Sequence, residues 1–554
     1  MTASPPQPAS PARPARASAF LVGAGILLSR LTGLVRESVF AHYFGASAVA
    51  GAFRAAMRMP NFLQNLLGEG VLSASFIPVY SRLIADGETE MAGKVAGVVA
   101  SLWILIVSAV VLLGVLFAPV LVDLVAPGFS GDVRALTVRL VQIMFPGVGL
   151  FVLSAWCLGI LNSHRLFFIS YVAPVLWNVA MITTLVAFGA GRSQASLGVI
   201  LAWGFVVGAF CQFAVQLPFI WGRKTASGKS IGSSIRFGLQ LGLEPVRQVF
   251  RSLGPVVVSR GVVQLSAFID AFIASWLGAV AVAGLAYAQV LYTLPVSLFG
   301  MSVAAAELPE MSSATGTREE IYTKLRTRLV AGKRNIAFYV IPCVAGFLVL
   351  GRHFVGALFQ TGHFGPQDTL YVWYILMGST VGLLASTWGR LYSSAFYALR
   401  DTRTPLWFAL IRVSLTAVLG YLFAFPLRPW LNHFLLQVLH LPKPNPHGMN
   451  IELGLGAVGL TFSAGLAGWV EFLLLRRALQ KRIGSTALPN HYPSKIWAAA
   501  LVACGAGWGV AHFVHLGFRW LNLAAILAAF GIIYAGLTLA AGLPEARTLL
   551  RLRR

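Results

Sequence analysis

Residues 29–82 read SRLTGLVRESVFAHYFGASAVAGAFRAAMRMPNFLQNLLGEGVLSASFIPVYSR, apolar enough to lie in a membrane yet carrying Arg30, Arg36, Glu37, Arg54, Arg58 and Glu69. A charged side chain at the centre of a bilayer costs about 3 kcal/mol or more, so such residues face a water-filled cavity or a partner. Arginines outnumber glutamates here, and the surplus invites an anionic ligand. Read as helices, Arg54 and Arg58 stand one turn apart on one face. Glu69 falls near that face if the helix continues, although Pro60 removes a donor and predicts a bend. Arg30 and Glu37 share a stripe through Gly33, with Arg36 about a third of a turn away. Snorkelling of arginines to headgroups is the plain alternative. It suits Arg36 but not all four together.

The rest of the chain sets this stretch in a membrane. Of 554 residues 57% are hydrophobic and 11% charged, and the mean hydropathy is +0.77, which excludes an ordinary soluble protein. Apolar runs of about 20 residues recur along the length without strand alternation, so the expected fold is an all-α integral membrane protein. The net charge of +24 reports membrane orientation here rather than nucleic-acid binding. The single cysteines Cys157, Cys211, Cys343 and Cys504 have no metal-ligand spacing. Residues 1–18, rich in Pro, Ala and Ser, read as a disordered cytoplasmic tail before an uncleaved first helix.

Fourteen spans are expected, near 19–41, 48–84, 96–123, 134–162, 167–190, 195–221, 253–278, 281–308, 333–351, 369–398, 404–425, 452–476, 495–516 and 520–542. Pro60, Pro78, Pro146, Pro174, Pro218 and Pro295 predict bends. Lys and Arg concentrate in alternate loops, at 223–251, 318–334 and 476–495 among others, which places both termini in the cytoplasm. The organisation expected is a tail (1–18), an N-lobe of helices 1–6 (19–222), an amphipathic, basic cytoplasmic linker (223–252), a C-lobe of helices 7–12 (253–482), and helices 13–14 with a basic tail (483–554). The linker suits a helix lying on the inner leaflet. Six spans plus six suit a transporter with substrate between two lobes.

Further intramembrane charges are Arg260, Asp270, Arg390 and Arg412. Arg390 lies within an otherwise apolar helix and is a cavity candidate, whereas Arg412 lies nearer a helix end. Asp270 either pairs with a neighbour or ligates a coupling ion. GLGAVG at 454–459 has glycine-fingerprint spacing without a preceding strand, and helix packing explains it better. His512 and His515 lack a third metal ligand. No nucleophile elbow, phosphate loop or acid pair argues for an enzyme.

SRLTGLVRE, FGAS at 44–47, RMPN at 58–61 and GEGVLSASFIPVYS at 68–81 resemble the start of the MurJ/MviN lipid II flippase family. That family belongs to the multidrug/oligosaccharidyl-lipid/polysaccharide exporter superfamily. The likeness continues through APGF at 126–129, IMFPGVGLFVLSAWCLGILNS at 143–163, Ala173, Pro174 and Asn178, QLSAFIDAFIASWL at 264–277, YAQVLYTLPVSLFG at 287–300 and FYALRDTRTP at 396–405. The resemblance implies fourteen helices in two lobes, a cationic central cavity for a pyrophosphate-linked sugar headgroup, and a groove for the polyprenyl tail beside the last two helices. By motif match Arg30, Arg36 and Arg58 correspond to the family's basic positions, Glu69 to its acidic one, and Arg390 to a basic position in the tenth helix. Asp270 and Asp401, with Thr416, are weaker candidates for a coupling-cation site. Asp401 pairing with Arg400 or Arg403 is the plain alternative.

The departures from the family pattern bear on the site. Gly51 stands where many relatives have Asp, Gln64 and Asn65 replace a basic pair, and Gln289, Val290 and Thr293 replace charged residues. Arg54 and Arg260, at apolar family positions, are expected to supply charge instead, with the Arg260 guanidinium directed towards Arg30, Arg36 and Arg58. The function implied is outward translocation of lipid II across the bacterial cytoplasmic membrane by alternating access, without catalysis. It would be driven by sodium, protons or the membrane potential, in a monomer whose partners are lipid II and membrane lipids. The alternatives are export of another lipid-linked oligosaccharide or of drugs, and an inactive membrane scaffold.

Overall fold

Fourteen hydrophobic runs demand a fold in which every backbone polar group is satisfied within its own segment, and helices do this. A computed structural model describes residues 13–222, 230–313, 316–446, 455–489 and 491–551. The side chains of 13–23, Glu69, 255–267 and 549–551 lie outside the described residues. Every regular element among the described residues is helical. Among the described residues ten helices are long and apolar enough to cross a membrane, and a pair bent by 41° makes an eleventh. The other three expected runs coincide with α1 (Arg13–Phe44), α2 (Ala48–Leu67) with α3 (Glu69–Ala85), and α10 (Glu244–Trp276). These three carry Arg30, Arg54 and Arg260.

The chain divides into two units. The first holds the described residues within Met1–Tyr43, Ala52–Val125 and Ser130–Ala267; the second holds Phe44–Gly51, Ala126–Phe129 and those within Phe268–Arg554. The first unit's core is built on α3, α4 (Thr89–Leu116) and α6 (Gly131–Ser163). Trp103, Phe76, Trp156 and Ile160 are buried there, and the Trp156 indole donates to the Ala96 carbonyl at 3.2 Å. α3 and α6 pack slightly closer than a methyl group would allow, since a Cβ on Gly159 would approach Phe76 to 3.2 Å. α5 (Ala118–Val125), α7 (Phe167–Phe188), α8 (Gln194–Ala214) and α9 (Leu217–Gly222) complete the helices before α10.

Two breaks differ from expectation. The helix bearing Arg54 continues through Pro60 and stops at Leu67, with Gly68 before α3. The linker is helical only in its second half: beyond residues 223–229, which are outside the described residues, Gly232–Ser234 forms a short 3-10 turn, residues 235–243 are not helical, and α10 begins at Glu244. The backbone from Ser234 to Gly238 runs along α4 instead. The Arg236 N–H donates to the Gly93 carbonyl at 3.4 Å and the Gly238 N–H to Ser101 Oγ at 3.1 Å. A Cβ on Gly93 or Gly97 would lie 2.0 or 2.1 Å from the carbonyl oxygens of Ser234 and Arg236. The backbone bonds otherwise made within a helix are made to α4, and Gly238 and Gly242 weaken the helical alternative.

In the second unit α11 (Ala279–Pro295) closes at Pro295, passes through a π-helical turn at Val296–Met301, and resumes as α12 (Ser302–Ser312). α13 (Arg318–Phe359) starts with a capping box between Thr317 and Glu320, and its 42 residues make it about 63 Å long, twice a hydrocarbon core. The expected span 369–398 is two helices, α14 (Pro366–Thr380) and α15 (Leu383–Ala398), bent at Gly382 where a Cβ would meet Gly465 Cα at 2.5 Å. α16 (Arg403–Ala424), the short α17 (Arg428–His433) and α18 (Gly456–Ile483) follow. Gly456 and Gly459 let α18 approach α16 closely, since Cβ atoms there would lie 2.8 and 2.5 Å from the carbonyls of Ala424 and Phe423. α19 (Tyr492–Phe513), α20 (Arg519–Ala540) and α21 (Pro544–Arg551) end the chain. They are tied to α13 by Tyr492 donating to the Arg334 carbonyl (3.1 Å), Tyr534 to the Phe338 carbonyl (2.6 Å), and an Arg334–Glu545 ion pair at 2.9 Å.

Candidate functional site

Arg36 and Glu37 of α1 and Arg54 of α2 form one cluster inside the first unit. Glu37 is 5% exposed, and a carboxylate so placed requires cations and hydrogen bonds around it. It has both. Arg36 Nη2 donates to Glu37 Oε1 at 2.6 Å. Arg54 donates to both carboxylate oxygens, Nη1 to Oε1 at 3.1 Å and Nη2 to Oε2. The Arg54 guanidinium also lies over the Phe40 ring, 4.4 Å from its centroid. One anion between two cations leaves the cluster with a single net positive charge.

A second layer fixes Arg36. Asn178 on α7, 4% exposed, accepts from Arg36 Nη1 at 3.1 Å, while its amide donates to Thr32 Oγ1 at 3.2 Å and the Ser29 carbonyl at 3.4 Å. The Arg36 guanidinium stacks over Trp177 at 4.4 Å. Trp177 is seated in turn by Gly208 on α8, where a Cβ would come within 2.7 Å of the indole. Phe151 and Phe205 hold its ring edge-on at 5.7 and 5.6 Å. Arg36 is thus held by an amide, a carboxylate and an aromatic face.

Beside Arg36 opens a cavity of about 720 Å³, within the usual size of a ligand site. One wall is a run of amides on α2, Asn61, Gln64 and Asn65, at i, i+3 and i+4 and therefore on one face. Ser73 of α3, Ser154 of α6 and Gln212 of α8 add further polar groups, with Gln212 Nε2 donating to Ser154 Oγ at 3.3 Å. Tyr171, Pro174 and Trp177 of α7 line it with Phe151. Among the described residues, Arg36 is the only charged one in this lining. The expected arginine-rich cavity is, in the described part of this unit, a neutral amide and aromatic cavity with one arginine.

The other expected residues divide. Arg54 turns to Glu37 and Phe40 and does not line the cavity. Arg58 is half-buried one turn further along α2, and Arg30 is exposed on α1. Glu69 opens α3 and Arg260 lies on α10, but their side chains are outside the described residues, so the expected direction of Arg260 is not addressed.

In the second unit, Arg390 is exposed on α15. Arg412 does not snorkel freely: its Nε lies 3.4 Å from Glu471 of α18, a residue the sequence reading passed over. Tyr292 and Ser386 hydrogen-bond at 3.0 Å nearby. The candidate ion ligands do not converge as a trio. A Cβ on Gly420 would lie 3.3 Å from Ile273, and Trp276 meets Phe425, so the end of α10 runs beside the end of α16. That places Asp270 level with Thr416. Asp401 precedes the first residue of α16, about 20 Å away at 1.5 Å per residue. Its carboxylate accepts from the Thr404 N–H (3.0 Å) and hydroxyl (2.7 Å) and pairs with Arg482 at 2.7 Å, not with Arg400 or Arg403. The Thr404 backbone N–H is the largest cause holding its carboxyl down at about 2. No group of three or more His, Cys, Asp or Glu among the described residues could hold a metal ion.

Comparison with known proteins adds what geometry cannot. Residues 40–430 match the family model described as "Lipid II flippase MurJ". The chain is 30% identical over 532 residues to a probable lipid II flippase MurJ of Rhizobium meliloti (strain 1021), covering 93% of this chain and 91% of that one. It is 30% identical over 534 residues to the lipid II flippase MurJ of Burkholderia cenocepacia, covering 92% and 93%. Among solved structures, "Lipid II flippase MurJ, inward closed conformation" superposes with a TM-score of 0.71 at 22% identity, over 94% of this chain and 98% of that one. An inward-facing multidrug resistance MATE family transporter of the MOP superfamily superposes at 0.60 and 16% identity, over 85% and 100%, a likeness of fold alone.

Proposed function

This chain belongs to the MurJ family of lipid II flippases, and from that premise we infer that it is a transporter that carries lipid II across the bacterial inner membrane for peptidoglycan synthesis. Family membership over more than nine-tenths of the chain carries this reading. The charge cluster and polar cavity inside an otherwise apolar helical protein support it, because a large hydrophilic headgroup needs such a path through hydrocarbon. Nothing in the site calls for bond-making chemistry, and the protein acts by binding and release.

Arg36 is the residue assigned to the anionic part of the headgroup. Asn178 accepts from Nη1, Glu37 from Nη2, and Trp177 lies against the guanidinium face, which leaves further N–H donors for phosphate oxygens. Glu37 sets the strength of that attraction: a net charge of one holds a diphosphate less tightly than three free arginines would, and a carrier must release its cargo. Arg30, Arg58 and Arg390 are assigned to the same path, and Arg54 to holding Glu37. We further propose fourteen transmembrane helices with both termini cytoplasmic, a monomer, and alternating access coupled to sodium or protons through Asp270 and Thr416.

The test is growth complementation in a bacterium depleted of its own lipid II flippase. Growth restored by this chain is the expected result. No growth despite correct membrane insertion overturns the assignment.

A further inference from the structure

Among the described residues, the one charged side chain lining the first unit's cavity is Arg36. Its other polar groups are neutral, and they are arranged rather than scattered. Asn61, Gln64 and Asn65 share one face of α2, so three amides, each both donor and acceptor, point to the same space. Asn61 and Asn65 are exposed in the chain, and no hydrogen bond among those described engages the side-chain amide of any of the three. In the same lining Tyr171, Pro174 and Trp177 offer apolar surface, and Trp177, with Arg36 over one face, is fixed by its seat on Gly208.

A diphosphate would be recognised by cations, and an acyl chain by an apolar wall. A wall of amides in one lining with aromatic surface matches a third chemistry: a neutral ring with hydroxyl and acetamido groups at its edge and C–H bonds on its faces. The volume of about 720 Å³ admits one or two such rings. We propose that this cavity is the saccharide subsite, with Asn61, Gln64 and Asn65 reading the hydroxyl and acetamido groups of an N-acetylated hexose stacked against Tyr171 and Trp177. Arg36, at the cavity's edge, then marks where the phosphate end of the same headgroup lies. The proposal rests on the flippase reading and adds to it which part of the cargo this wall selects.

Three polyprenyl lipids separate the possibilities: a bare diphosphate, a diphosphate carrying the N-acetylated sugar, and one carrying sugar and peptide. Binding of each to the purified full chain in nanodiscs is measured for wild type and for the Asn61→Leu/Gln64→Leu/Asn65→Leu variant. Wild type is expected to bind both sugar-bearing lipids about tenfold more tightly than the bare diphosphate, the worth of one or two neutral hydrogen bonds. The variant should bring all three within about twofold of one another while leaving the bare lipid's affinity unchanged. Equal binding of all three by wild type, or a preference that survives in the variant, overturns the subsite. Preference only for the peptide-bearing lipid assigns the wall to the peptide and also overturns it. Failure of wild type to bind any of the three overturns the flippase reading instead. Should the triple variant not fold, Asn65→Leu alone, at an exposed position, carries the test with an expected drop of about threefold in preference.

Discussion

Glu37 is the residue whose loss the structure makes most costly, and Glu37→Gln measures the cluster directly. The substitution keeps shape and hydrogen-bonding atoms but removes the one anion between Arg36 and Arg54, leaving two guanidinium groups in a site that is nearly closed to solvent. Breaking a buried ion pair by removing one partner costs about 3–5 kcal/mol. For a unit of this size that lowers the melting temperature by about 10 °C. Arg54→Met should cost less, about 1–2 kcal/mol, because Glu37 keeps Arg36 and the charges balance. The double variant Glu37→Gln/Arg54→Met returns the cluster to one net positive charge, so it should melt above Glu37→Gln alone. Thermal unfolding of the detergent-solubilised proteins, followed by tryptophan fluorescence, reads all four states. Additive losses, or a Glu37→Gln protein that melts like wild type, would refute the charge balance drawn from the structure.

Three other outcomes follow from separate parts of the fold. A cysteine at Ser313 should be shielded from impermeant thiol reagents in intact cells and one at Asn445 should react; the reverse pattern overturns the proposed orientation. Gly97→Val puts a branched side chain where the Arg236 carbonyl lies 2.1 Å from an ideal Cβ, so the linker must leave α4, and limited proteolysis should cut within residues 235–243 in the variant but not in wild type. Because the Asp401 carboxyl is held at about 2 in the folded protein, against roughly 3.9 when unfolded, its contribution is complete above that unfolded value and is lost as pH falls towards 2. Asp401→Asn should therefore flatten the acid limb of the melting curve and, the pair being part-exposed, cost about 1 kcal/mol or less at neutral pH.

Hydropathy made the helical membrane fold legible, since bilayer thickness fixes span length. What it could not show was where helices break. Pro60 drew attention as a bend, yet α2 runs through it and ends before Gly68. Proline removes one hydrogen bond, which neighbouring groups can replace in a membrane helix, whereas the chain turns at the residue with the widest backbone freedom. The linker expected to be helical is so from Glu244 onward, while residues 235–243 run without helix along α4. Ile231 and Ile235 are buried where the chain meets α4, Phe237, Leu239 and Leu241 are exposed, and Val246 and Val249 are buried once α10 has begun. The glycines of α4 that receive it lie more than a hundred residues away, so no local pattern could report them.

The site was half legible for a related reason. Charges in an apolar chain announce themselves, so Arg36, Glu37 and Arg54 stood out in the sequence together with Arg30, Arg58 and Glu69. Their pairing depended on two helices meeting, and the sequence suggested free cations where the structure has one carboxylate engaging two of them. Glu471 escaped notice for the same reason, its partner Arg412 lying on another helix. The amide wall was missed differently. Asn61, Gln64 and Asn65 carry no charge, so they register only as an absence of the basic pair found in relatives. Read by spacing they were already a polar face on an apolar helix, and that signal points to a ligand as firmly as an arginine does. A carrier that must grip a large headgroup on one side of a membrane and let it go on the other is better served by many weak neutral bonds around one tempered cation. Such bonds exchange readily with water, while the full attraction of several unpaired arginines for a diphosphate does not.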